Sequence, residues 1–256
     1  MISAKLVKEL RDRTGAGMME CKKALTETDG DIEEAVLWLR ENSNVKADKK
    51  SGRVAAEGRV AAEVSADKKS AAMIEVNIET DFAARNDQFI EYVDKVSKQA
   101  LVSPAETVED FLEEPFVTDA SITVADSVRE MIANIGENMM IRRYVSYEVD
   151  DNSMVHAYIH GEGSVGVLIQ IKAEKPETLE NEEVQEMANN LAMQIAAMSP
   201  RWLTRDDVPE DVAEQEKDLL RTQTLNEGKP EKIVDKIVKG RMGKFYSENT
   251  LLEQDY

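Results

Sequence analysis

Hydrophobic residues return every three or four positions through the first forty residues, and the breaks between them fall on small turn formers. Ser3 is placed to cap a helix carrying Leu6, Val7 and Leu10 on one face, which Thr14-Gly15-Ala16-Gly17 stops. A second helix has Met18, Cys21, Ala24 and Leu25 at helical spacing and ends near Asp29-Gly30. Asp31 then caps a third, with Ile32, Ala35, Val36 and Leu39 at i, i+3, i+4 and i+7. Residues 43–58 are basic, small and polar, a linker with some helical character. Beyond it the period changes from 3.6 to 2. Arg59–Val64 and Ala71–Asn77 flank the turn Ser65–Ser70 and read as a hairpin. A helix carrying Phe89, Val93, Val96 and Ala100 ends at Ser103-Pro104, and an acidic helical stretch covers about 105–134. Strand patterns return in Tyr144–Val149 and Met154–His160, on either side of Asp150–Ser153, and in Val165–Ala173 after the turn Gly161–Ser164. A helix over about 181–198 ends at Ser199-Pro200.

These elements predict an α+β chain. Residues 1–42 form a three-helix unit that resembles the small ubiquitin-associated fold, whose usual job is to offer a hydrophobic patch to another protein. After the linker 43–58 come the first half of a core (59–140) and its second half (141–256). Within the second half, residues 205–247 read as a protruding hairpin of two helices. Its second helix follows Pro230 and has Ile233, Val234, Ile237, Val238, Met242 and Phe245 in one stripe. Ala100–Pro104 and Ala196–Pro200 close their helices alike, 96 residues apart. A duplicated module and two unrelated α+β layers both satisfy that likeness.

Charge narrows the function. The chain has 32 Lys+Arg against 51 Asp+Glu, a formal charge of −19, which argues against direct nucleic-acid binding. Residues 1–70 carry 14 basic and 13 acidic side chains while residues 71–256 carry 18 and 38, so the front is the less repulsive place for an acidic partner. One cysteine rules out a disulfide within the chain and fits a reducing compartment. No stretch of 18 apolar residues occurs, and Met1–Arg13 is amphipathic rather than a signal peptide, so a cytoplasmic protein off the membrane is expected.

Catalytic constellations are missing: no phosphate-binding glycine loop, G-x-G-x-x-G, G-x-S-x-G or H-E-x-x-H occurs. Cys21 on an apolar helix face reads as a buried small hydrophobe, not a nucleophile. His156, Tyr158 and His160 share one face of a strand, two histidines without a third ligand, so no metal site is expected. His160-Gly161 at the strand end is placed to touch something outside. Met18-Met19 sets two long apolar side chains about 100° apart on a small helix, so at least one is expected at the surface, where Met suits protein binding. Thr80-Asp81-Phe82 after a strand reads either as a helix cap with a buried Phe or as an aromatic presented to a partner's pocket.

Leu10-Arg-Asp-Arg-Thr-Gly-Ala-Gly-Met-Met-Glu-Cys-Lys-Lys-Ala-Leu25 resembles the opening of the elongation factor Ts family. Similar later blocks are Arg53–Gly58, Glu75–Asn77 with Thr80–Ala83, Gly136–Asn138 before Ile141–Arg143, Ile159–Gly161, and Gly228-Lys-Pro230 with Gly240-Arg-Met242 and Phe245. They run in order over nearly the whole chain. The resemblance implies a nucleotide exchange factor, not an enzyme, that binds the GDP form of the translational GTPase elongation factor Tu and needs no cofactor. It assigns dislodging of the partner's Mg²⁺ to Thr80, Asp81, Phe82 and Ala83, contact with a helix of the GTPase to Met18 and Met19 with Arg11 alongside, and a place near the partner's phosphate loop to His160 and Gly161.

Two departures accompany it. The fourth position of the Thr-Asp-Phe block is commonly Val and is Ala83 here. The family's pattern usually continues past Leu251–Tyr256 with a strand-and-helix portion, which leaves two readings open: a short natural form whose exchange is weakened or supported differently, a homodimer being one such support, or a chain from which part of the protein is missing. The rival reading is an adaptor that holds the GTPase or another client without efficient exchange.

Overall fold

The computed structural model describes residues 2–256, which divide into two compact units, one running to Gln185 and the other Glu186–Tyr256. The chain is α+β, with antiparallel sheets and ten α-helices among the described residues.

The first unit opens with α1 (Ala4–Thr14), α2 (Met18–Glu27) and α3 (Ile32–Asp48). Ser3 caps α1 by accepting from the Leu6 N–H, and Asp31 caps α3 by accepting from the Glu34 N–H. Leu10, Cys21, Ala24, Leu25 and Ala35 meet in a core of their own. Helix α3 runs six residues into the basic, polar stretch. Near its middle, Arg40 pairs with Asp119 and with Glu130 (3.1 Å), which ties the helical module to the rest of the unit.

Strands β1 (Glu57–Val64) and β2 (Ser70–Ile78) form the expected hairpin, in register from Glu57 opposite Ile78 to Val64 opposite Ala71. The third strand of that sheet is β5 (Met139–Glu148), paired to β2 with a bulge at Glu75/Val76. The strand around Tyr144–Val149 thus joins β2 and not the strand that follows it. Side chains explain the choice: β2 is the most apolar segment of the sheet and takes the centre, where both edges are paired and Ile74, Val76 and Ile78 are buried. Between β2 and β5 lie α4 (Asp81–Ala84), α5 (Asp87–Val102), α6 (Val108–Glu113), β3 (Pro115–Phe116), β4 (Asp119–Thr123) and α7 (Val124–Ile135). The expected helical stretch over about 105–134 is therefore broken by a small β3–β4 hairpin. Pro115 cannot continue α6, and Thr123 and Asp126 form a capping box that starts α7 afresh.

Phe89, Val93 and Val96 of α5 pack with Phe111, Val124, Val128 and the β2 side chains in one core. Each fully buried large side chain there contributes about 1.5–3 kcal/mol. Phe111 stacks on Tyr144 with ring centres 5.0 Å apart, and the buried Tyr92 hydroxyl is satisfied by Ser127 Oγ at 2.9 Å. The unit ends with a separate antiparallel pair, β6 (Ser153–His160) and β7 (Val165–Lys172).

The second unit holds most of α8 (Glu182–Met198) and the antiparallel hairpin of α9 (Glu210–Asn226) and α10 (Glu231–Asn249). Val234, Val238 and Thr224 are buried in this unit, while Ile233 of the expected stripe is exposed. Its ends are laced together: Trp202 donates to the Asn249 carbonyl at 3.2 Å, Leu251 to the Trp202 carbonyl at 2.9 Å, and Trp202 packs against Phe245. No helix among the described residues is long and apolar enough to cross a membrane.

Candidate functional site

Strand β2 delivers the chain to Thr80, whose backbone is extended and whose hydroxyl oxygen accepts from the Ala83 N–H at 3.2 Å, making it the N-cap of α4. The same hydroxyl donates to Glu137 Oε1 at 2.8 Å while the Thr80 N–H donates to Glu137 Oε2 at 3.0 Å. Beside it the Glu79 carboxylate accepts from the Asn138 N–H at 2.5 Å and from Arg53 at 3.4 Å. Two glutamates therefore cross-link the end of β2, the loop after α7 and the segment before β1. On this braced single turn Ala83 and Ala84 face inward, each 7% exposed, Asp81 pairs loosely with Arg85 at 3.8 Å, and Phe82 is 83% exposed. The presented aromatic, one of the two readings left open for Thr80–Phe82, matches this geometry; Ala83 is a packing residue.

The His160-Gly161 turn is built by backbone conformation. Gly161, Glu162 and Gly163 follow one another with φ of 55°, 58° and 97°, and the Ser164 N–H returns to the His160 carbonyl at 3.0 Å. Left-handed backbone is free for glycine but costs Glu162 about 1 kcal/mol. Gly163 is required for a second reason: a Cβ there would lie 2.9 Å from the Val60 carbonyl oxygen of β1. His160 is exposed at the rim of this seat, and its Nδ1 lies 2.9 Å from the Tyr158 hydroxyl.

Met18 and Met19 open α2 and are 57% and 73% exposed, because Cys21, Ala24 and Leu25 already fill the inner face of that helix. Arg11 is exposed near the end of α1. Cys21 is fully buried and burial pushes its thiol pKa up, so it is held as a neutral thiol.

The structure brings two of the three surfaces to one strand. Helix α4 and the histidine turn both pack on β1, the turn at Arg59 and Val60. The methionine pair lies on the helical module, which contacts the rest of the unit through α3 on α7.

Among the described residues no group of His, Cys, Asp and Glu could hold a metal ion. A cavity of about 460 Å³ lies between α3 and the β4–α7 region, lined by Trp38, Arg40, Phe116 and Glu130, whose carboxyl pKa burial pushes up against the pull of Arg40. It contains none of Arg11, Met18, Met19, Thr80–Ala83 or His160-Gly161. Sequence reasoning named Glu137 only inside the Gly136–Asn138 block and gave it no role, because it meets Thr80 across 57 residues with no spacing to announce it. It noticed Tyr158 only for sharing a face with the histidines.

A family model described as Elongation factor TS matches residues 79–256, beginning one residue before the Thr80 cap and taking in the histidine turn. Elongation factor Ts of Clostridium botulinum (strain Alaska E43 / Type E3) is 54% identical over 254 residues, 99% of this chain and 82% of that protein. The chain belongs to the elongation factor Ts family. Elongation factor Ts of the Loch Maree / Type A3 strain is 51% identical over 254 residues, covering 99% of this chain and 81% of its own length. Family membership makes the chain a translation elongation factor. The exposed Phe82 turn and the histidine turn both fall inside the region that the elongation factor Ts model matches.

Proposed function

We propose that the chain is a guanine nucleotide exchange factor that binds GDP-bound elongation factor Tu in the cytoplasm and promotes GDP release by disturbing the partner's Mg²⁺ and phosphate site. The single observation that carries this reading is Phe82, an aromatic 83% in solvent on a turn that Thr80, Glu137 and two buried alanines hold still. A ring so presented has nothing to pack on in its own chain and can enter a pocket without the backbone beneath it first being ordered.

Thr80 and Ala83 set the turn, Asp81 and Phe82 face the partner, and Met18, Met19 and Arg11 supply a second hold on the GTPase. His160 and Gly161, seated on the same strand as the Phe82 turn, approach the phosphate loop. Mg²⁺ bridges nucleotide phosphates to the GTPase, so shifting its ligands removes a large attractive term. A factor that binds the loosened state better lowers nucleotide affinity by the same factor by which nucleotide lowers its own. No bond is made or broken by this chain, and its acidic surface is tolerated because it displaces phosphate contacts instead of supplying them.

The test is a stopped-flow release assay with labelled GDP on cognate elongation factor Tu. Adding the full chain is expected to raise the release rate in a saturable way. An unchanged rate at saturating chain refutes exchange, and a stable complex with unchanged release marks the adaptor instead.

A further inference from the structure

His160 closes β6, and its main chain is held from two sides. Its carbonyl accepts from the Ser164 N–H at 3.0 Å and from Ser164 Oγ at 3.2 Å, and the three left-handed residues that follow are seated on β1 through Gly163. That leaves the imidazole free to rotate about its side-chain bonds. Tyr158 removes this freedom. Two residues back on the strand, it projects from the same face, its ring half-buried, and its hydroxyl lies 2.9 Å from His160 Nδ1 with the ring centres 6.0 Å apart.

The proton in this hydrogen bond has a preferred owner. A phenol keeps its proton at neutral pH, and the bare nitrogen of a neutral imidazole is the better acceptor of the two heavy atoms. The tyrosine O–H therefore donates to Nδ1, and the hydrogen bond made at one ring nitrogen decides what the other carries. Nε2 must then bear the hydrogen. It is the ring atom that Tyr158 leaves uncovered on an exposed side chain at the end of the strand.

We infer that Tyr158 is a positioning residue, which holds His160 as a single neutral tautomer with its Nε2–H aimed outward as a donor for an acceptor oxygen on the partner. This deepens the exchange reading and rests on it only for the identity of that partner. The gain is pre-organisation: a side chain already fixed loses less freedom on binding, an effect of about two- to tenfold in affinity.

Two measurements decide it. On the free, ¹⁵N-labelled full chain, long-range ¹H–¹⁵N spectra of the histidine rings are expected to show His160 with Nε2 protonated and Nδ1 bare, with no Nδ1–H form. In Tyr158→Phe, which keeps the ring that packs, the ring should relax to a mixture of tautomers. Nδ1 protonated in the wild-type chain, or a tautomer population untouched by Tyr158→Phe, overturns the proposal. The second is a double-mutant cycle read by calorimetry with GDP-loaded elongation factor Tu. Tyr158→Phe should weaken binding two- to tenfold when residue 160 is His and by less than about twofold in the His160→Ala background. Equal losses in both backgrounds would make Tyr158 a merely structural residue and refute its positioning role. If the wild-type chain does not bind this partner, the exchange reading falls, and the spectra of the free chain still decide the role of Tyr158.

Discussion

Replacing Phe82 by alanine separates function from folding in one substitution. A phenylalanine side chain offers about 150–250 Å² for burial. With 83% of Phe82 in solvent, on the order of 150 Å² awaits a partner, or about 4 kcal/mol gross at 25 cal/mol per Å². Ordering the ring and imperfect pocket fit remove about 1 kcal/mol. The remaining ~3 kcal/mol is in the range measured for buried aromatic anchors, and even a modest anchor costs about 2 kcal/mol on truncation. Stimulated GDP release at sub-saturating factor should therefore fall about 30- to 150-fold in Phe82→Ala. Stability should stay within about 0.5 kcal/mol, because an exposed ring leaves no cavity behind. The assay pairs stopped-flow release with urea unfolding of the same preparation. Release within threefold of wild type sinks the role of the presented aromatic, and a large loss of stability sinks the exposure on which the estimate stands.

Two further predictions concern what holds the first unit in shape. Glu137→Ala removes both hydrogen bonds to Thr80; for a half-exposed carboxylate these are together worth about 2 kcal/mol, so the Ala83 amide should lose hydrogen-exchange protection and release should slow about tenfold. An unaltered exchange rate at Ala83 would show that Thr80 caps the turn unaided. Burial acts to raise the Asp126 pKa, but hydrogen bonds from Thr123 and the charge of Arg129 outweigh it and hold the carboxyl below its usual value. A depressed folded pKa means that this carboxylate stabilises the fold above about pH 3.9 and stops doing so as pH falls through the lower folded value. Urea curves of wild type and Asp126→Asn should therefore differ at pH 7 and converge toward pH 3; a gap that widens in acid would contradict the capping box.

Much of the local architecture was legible because short-range physics writes it. The Ser3 and Asp31 caps need only a side-chain oxygen near a helix's free N–H groups, and both occur where the periodicity places them. The β1–β2 hairpin follows from alternation around a polar turn, and the helix from Asp87 to Val102 from its 3.6-residue stripe. The β3–β4 interruption was missed because a two-residue strand has no period to detect, although Pro115 marked the break. Pairing of β5 with β2 was equally invisible: strand pairing is chosen by the burial of both faces, and β2 and β5 are separated by some sixty residues.

The sequence by itself determined an α+β chain, a module of three short helices, the absence of familiar catalytic motifs and, through its ordered blocks, the elongation factor Ts family. Tertiary structure alone decided what those blocks present. Phe82 is outside because Ala83 and Ala84 take the inward positions of a single turn that Glu137 grips from a distant loop. The Phe82 and His160 turns share β1 because Gly163 permits contact with Val60 that any larger residue would block. Tyr158 meets His160 because a pleated strand sets every second side chain on one face. Caps and periods are properties of neighbours in the chain, whereas exposure and shared seats belong to neighbours in space.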